Sequence, residues 1–138
     1  MSPAALKAYN SVGVQSDIAD ATPHQLISKL FSGALDRIAS AKGAINRDQQ
    51  AQKGELLGKA IAIVDGLRAS LDHENGGEIA TNLASLYDYM EQRLLEANLN
   101  NDIERLDEVA GLLKEIKAGW DEMPAEHRVG QHSMENSL

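Results

Sequence analysis

The sequence predicts an all-α fold, an antiparallel up-down four-helix bundle with an N-terminal segment packed on it. Three observations carry this. The chain has 138 residues with 43% apolar but only 4% aromatic content, so Ala, Leu and Ile must fill one core. Four successive stretches repeat their apolar residues at helical spacing. The connections between them are short, which forces neighbouring helices to run antiparallel. The pattern divides the chain into an N-terminal latch or cap segment (1–21), a bundle (22–122) and a flexible polar tail (123–138).

The first helix is announced by Thr22-Pro23-His24-Gln25. Thr22 can cap free backbone N–H groups, Pro23 suits the first helical position, and Gln25 completes a capping box. Leu26, Ile27, Leu30, Phe31, Ala34, Leu35, Ile38, Ala41 and Ile45 then form an apolar face. It is wide enough to touch more than one neighbour. Asn46-Arg47-Asp48 interrupts this pattern, with Asp48 as the expected cap of the second helix. There Leu56, Leu57, Ala60, Ile61, Val64, Leu67 and Leu71 face the core.

Asp72 to Gly77 is expected to end the second helix, because glycine readily adopts the left-handed conformation at helix ends. The third helix presents Ile79, Leu83, Leu86, Met90, Leu94 and Ala97 as its inner stripe. Asn101 and Glu104 form the expected cap pair of the fourth, lined by Ile103, Leu106, Val109, Ala110, Leu113, Ile116 and Trp120. Gly33, Gly43, Gly58, Gly66 and Gly111 fall inside these helices, each at a cost of up to about 1 kcal/mol relative to alanine. Close helix approach, or a shallow groove where a side chain is missing, would compensate.

Several chemistries can be set aside. There is no cysteine, hence neither a disulfide nor a thiolate metal site. No Glu has a His three residues later, as the two-metal bundle enzymes require. Asp72 could open a calcium loop, but the twelfth position is Leu83 rather than the bidentate Glu. No cofactor or metal is expected, and no catalytic residue. No apolar run is long enough to insert in a membrane, and no apolar leader opens the chain. The expectation is a cytoplasmic protein.

The net charge of −8 is uneven, with +2 in residues 1–70 and −10 in residues 71–138. An acidic half argues against nucleic acid as a partner, and a solvated acidic surface is its plain explanation. A histidine phosphotransfer bundle is one alternative, with His24 as its only helical candidate; a generic helical adaptor is another. Against phosphotransfer, His24 sits in the first turn rather than mid-helix, where an exposed histidine is the simpler reading.

Three blocks carry a family likeness. They are Ala8-Tyr9 with Val12; Thr22-Pro23-His24-Gln25-Leu26-Ile27 running through Leu30-Phe31 to Gly33-Ala34-Leu35; and Gly76-Gly77-Glu78-Ile79-Ala80 with Asn82-Leu83, Leu86-Tyr87-Asp88-Tyr89-Met90 and Glu96-Ala97-Asn98. Over roughly residues 8–122 the chain resembles the flagellar secretion chaperone family, FliS. It departs where the family often has Tyr-Asp-Gly, since Phe31-Ser32-Gly33 lacks one hydroxyl and one carboxylate.

The resemblance implies a chaperone without enzymatic activity. Its client would be the C-terminal segment of flagellin, disordered in the monomer, which it shields from premature polymerisation and delivers to the type III export gate. A homodimer is left open. The expected client contacts are Leu26, Ile27, Leu30 and Phe31 on the first helix, with Asn82, Leu83, Tyr87, Tyr89 and Met90 on the third. Leu83 and Met90 are also what any bundle core needs. Tyr87 and Tyr89 fall on opposite flanks of the third helix, so at least one should reach solvent or a partner. Leu6, Tyr9 and Val12 are the expected latch over the client groove, or else a simple structural cap.

Overall fold

The computed structural model describes residues 22–123. Among them are four α-helices and no strand: α1 (Pro23–Asn46), α2 (Gln50–Ala69), α3 (His73–Asn100) and α4 (Ile103–Glu122). The N-terminal segment with Leu6, Tyr9 and Val12, and the tail beyond 123, lie outside the described residues. Each helix packs on its neighbours in sequence, and α4 closes the ring against α1. This is the expected antiparallel bundle.

α1 starts as its sequence dictates. The Thr22 hydroxyl accepts from the Gln25 amide at 3.1 Å, and the Gln25 side chain accepts from the Thr22 amide at 3.0 Å. Two of the amides left free at a helix start are thereby satisfied. The other caps differ from expectation. Asp48 does not cap α2; it takes a left-handed φ of 55° in the α1–α2 turn, and Gln49 precedes α2 without any side-chain cap. Asn101 likewise takes φ 52° as the C-cap of α3, and Asp102 caps α4 by accepting from the Arg105 amide at 3.2 Å. Both turns need a left-handed residue, and Asp and Asn tolerate that conformation better than most side chains. A residue in that role cannot also serve as the extended N-cap.

The α2–α3 junction is divided differently from the sequence reading. α2 ends at Ala69, and Asp72 opens the next element by accepting from the Asn75 amide at 3.1 Å. A single turn follows before Gly77 kinks the chain at φ 52°, ψ −125°. The expected break is therefore present, but inside α3. Ile79, expected in the inner stripe, is 58% exposed, because Ala80 takes the inward position in the first turn after the kink.

The core draws on every helix: Phe31, Ile38, Leu57, Val64, Tyr87, Met90, Leu94, Leu106, Val109 and Leu113 are fully or almost fully buried. Burying each large side chain contributes about 1.5–3 kcal/mol. Polar contacts between α1 and α4 set their register, among them Trp120 Nε1 donating to the His24 carbonyl at 3.0 Å. Ser28 Oγ donates to Asp121 at 2.7 Å, and Lys42 pairs with Asp107 fourteen residues further along α1.

Candidate functional site

Among the described residues the bundle offers a groove between α1 and α4 and exposed apolar residues on α3. The groove has a volume of about 430 Å3 and is lined by Leu35, Asp36, Ile38, Ala39 and Lys42 on α1, and Asp107, Ala110, Gly111 and Lys114 on α4. Its depth follows from composition, since Ala39, Ala110 and Gly111 leave the middle of the helix pair short of side-chain volume. A Cβ at Gly111 would meet nothing within 4 Å, so the missing side chain opens onto free space. Of the two compensations open to an internal glycine, Gly111 shows the groove.

The exposed large apolar residues of α3 are Ile79, Tyr89 (40% exposed), Leu95 and Leu99, with Leu95 one turn on from Glu91 and so on the far side of the helix from Tyr89. Tyr89 is fixed by its surroundings. Its hydroxyl donates to Glu108 on α4, Arg93 Nε donates to the other Glu108 oxygen at 2.9 Å, and the Arg93 guanidinium lies 5.5 Å from the Tyr89 ring centre. Donation to Glu108 raises the Tyr89 pKa. The bonds from Tyr89 and then Arg93 hold Glu108 below the usual carboxylate range. This network presents the tyrosine ring in one orientation beside the α3–α4 seam.

On the opposite flank Arg68 of α2 meets Asp65 at 2.6 Å, Asp88 at 3.3 Å and Glu91 at 3.5 Å. Burial first, then Asp65, raises the Glu91 pKa against the opposing pull of Arg68.

The expected client residues separate into two groups. Leu26, Ile27, Leu30, Phe31, Tyr87 and Met90 are all buried, at 2% exposure or less. Their helical spacing does not distinguish a stripe facing a client from one facing the other three helices, and here all six belong to the hydrophobic core cluster. Asn82 and Tyr89 are exposed and Leu83 is half-buried. Of the two tyrosines, Tyr89 is the one that reaches solvent; burial of Tyr87 pushes its pKa up. The sequence reading missed the α1–α4 groove residues, although Gly111 was a signal for them.

His24 is not the exposed histidine expected. It is half-buried and stacked on Trp120, with ring centres 4.6 Å apart. Its Nε2 lies 2.7 Å from the Trp120 carbonyl, while Trp120 Nε1 donates to the His24 carbonyl at 3.0 Å. Among the described residues no cluster of His, Asp and Glu could hold a metal ion, and no helix is long and apolar enough to cross a membrane.

The described residues thus form an all-α four-helix bundle with a groove of apolar floor and charged rim. The family model described as flagellar protein FliS matches residues 5–127, and the chain belongs to that family, which comprises chaperones rather than enzymes. A protein of Pseudomonas aeruginosa named flagellar secretion chaperone FliSB is 53% identical over 117 residues, covering 85% of this chain and 93% of the relative. The flagellar secretion chaperone FliS of Salmonella typhimurium is 50% identical over 119 residues, covering 86% and 88%. That of Bacillus subtilis is 33% identical over 118 residues, covering 86% and 87%. The chain is thus a flagellar export chaperone.

Proposed function

We propose that this chaperone acts in the cytoplasm on the disordered C-terminal segment of flagellin, prevents its premature polymerisation and delivers it to the flagellar type III export gate. The observation that carries the reading is the family match across the whole described bundle, together with relatives named for flagellar secretion. The surface suits such a client. Ordering a disordered segment costs about 2–5 kcal/mol or more, so the contact must be long and partly apolar. Amphipathic helical segments meet that need by laying apolar anchors in grooves between helices.

In this reading Asn82, Leu83 and Tyr89 touch the client directly. Leu26, Ile27, Leu30, Phe31, Tyr87 and Met90 hold the helices that shape the surface. Leu6, Tyr9 and Val12 act as a latch over the client surface while the chaperone is empty.

The test is isothermal calorimetry with purified flagellin monomer and with flagellin truncated at its C-terminus. Wild-type chaperone should bind the first and not the second; equal binding to both would overturn the choice of segment. Deletion of residues 1–17 should leave the bundle folded and change flagellin affinity, and an unchanged affinity would dismiss the latch.

A further inference from the structure

Asn75-Gly76 is the one place in the sequence where an asparagine precedes a glycine. Such a pair carries a reaction of its own. The Gly76 backbone nitrogen can attack the Asn75 side-chain carbonyl, and with no Cβ on Gly76 nothing crowds its approach. The structure places the pair in the single turn before the Gly77 kink, where Asp72 holds it at three points. Asp72 Oδ1 accepts from the Asn75 amide at 3.1 Å, Asp72 Oδ2 accepts from Asn75 Nδ2 at 2.8 Å, and the Asp72 carbonyl accepts from the Gly76 amide at 2.7 Å. Asn75 is exposed and Gly76 is buried. These bonds occupy the nucleophile and the leaving group together. They also keep Asn75 helical, Gly77 being the residue that departs from helical angles inside α3. A helical ψ turns the Gly76 nitrogen away from the Asn75 side chain.

We propose that Asn75 is a site of spontaneous deamidation, gated by Asp72 through local opening of the 72–77 turn. When the turn opens, water or hydroxide takes the proton from the Gly76 nitrogen. That nitrogen bonds to Asn75 Cγ, the Cγ–Nδ2 bond breaks, and the side-chain nitrogen picks up a proton and leaves as ammonia. A cyclic succinimide remains. Water then breaks one of its two C–N bonds. Cleavage at Cγ leaves aspartate, and cleavage at the Asn75 main-chain carbonyl leaves isoaspartate. The net change is one water consumed and one ammonia released, with no oxidant or cofactor. Either product sets a carboxylate against Asp72 where an amide donor stood, and like charges replace the Nδ2–Oδ2 bond. Isoaspartate also lengthens the backbone by one carbon. The turn that guarded the site then cannot close as before, so the change runs one way.

The test incubates the full-length protein in mildly alkaline buffer at physiological temperature, with native helicity checked by circular dichroism. Deamidation at residue 75 is read by peptide mass spectrometry, and isoaspartate by enzymatic methylation of its free carboxyl group. Wild type should react roughly a hundredfold faster in denaturing guanidinium than when folded, because the three bonds to Asp72 no longer hold the turn closed. Folded Asp72→Ala should react about fivefold faster than folded wild type, the shift in opening expected from losing one N-cap. Asn75→Gln keeps the amide but requires a larger, slow-forming ring, so it should yield no product at residue 75.

Equal rates in folded and unfolded wild type would overturn the gate, as would a folded Asp72→Ala no faster than wild type. If Asp72→Ala does not fold, Asp72→Ser takes its place. Serine still caps the Asn75 amide but loses the bond from Asn75 Nδ2, and a rise of about twofold is expected; no rise would again overturn the gate. Absence of deamidation at residue 75 even in guanidinium would overturn the site itself. An undiminished mass gain in Asn75→Gln would assign the reaction to another residue and do the same.

Discussion

Lys53 is the one lysine placed inside the described bundle, at 5% exposure, and replacing it with methionine tests how α3 is terminated. Its ammonium donates to the Asn98 carbonyl at 2.7 Å, to Asn101 Oδ1 at 2.6 Å and to Gln50 Oε1 at 2.7 Å. Asn98 belongs to the last turn of α3, where the final carbonyls have no partner within the helix and the dipole favours a cation. Met keeps the apolar stem and removes the donors. Gln50 and Asn101 are exposed and can turn to water, so the main loss is the charged hydrogen bond to the half-buried Asn98 carbonyl.

Such a bond contributes about 1.5–3 kcal/mol, and the charge at the helix end adds about 0.3–1 kcal/mol. Relief from desolvating the ammonium offsets part of this, leaving an expected loss of about 2 kcal/mol for Lys53→Met. Urea denaturation followed by circular dichroism should show the midpoint fall with an unchanged slope. In a double-mutant cycle, Asn101→Gly should couple to Lys53→Met through their shared contact, because glycine keeps the left-handed turn while removing the acceptor. A Lys53→Met stability within about 0.5 kcal/mol of wild type would refute the reasoning, since an exposed surface lysine behaves that way.

Phe31→Ala should cost about 3–5 kcal/mol, because the ring is fully enclosed, whereas Tyr89→Ala, at an exposed position, should leave the melting midpoint nearly unchanged and reduce flagellin binding instead; thermal melts beside calorimetry separate the two effects. Gly77→Ala should destabilise by about 1–3 kcal/mol, since φ 52°, ψ −125° matches a turn position reserved for glycine. Gly58→Ala, on an open helical face, should gain up to about 1 kcal/mol in the same urea assay. Glu91→Gln should stabilise the bundle at pH 7 and not near pH 4. The folded-state pKa of Glu91 is raised above its ordinary 4.5, so the stability tied to its protonated form is present at lower pH and lost as pH rises through the folded value. Lower stability of Glu91→Gln at pH 7 would instead make the Arg68 ion pair dominant.

Local chemistry made much of this fold legible. The Thr22-Pro23-Gln25 box, the four apolar periods and the Gly76-Gly77 break each act over a few residues, so each can be read without knowing the partner helices. The family blocks were legible for the same reason, being runs of adjacent residues. Caps were harder where one residue could serve either of two neighbouring elements. Asp48 and Asn101 were such cases, and the turns took them as left-handed residues.

What only the tertiary structure decided was which side of each stripe the rest of the chain would cover. Leu30, Phe31, Tyr87 and Met90 repeat at spacings that suit either a client or a core, and they are buried in the core cluster. Tyr89 is two residues from Tyr87, yet Glu108 and Arg93 fix it at the surface. The α1–α4 groove arises because Ala39, far in sequence from Ala110 and Gly111, lies beside them in the bundle. Periodicity determined that this chain forms four amphipathic helices. The register between them, set by side chains distant in sequence, decided which residues are buried and where the groove lies.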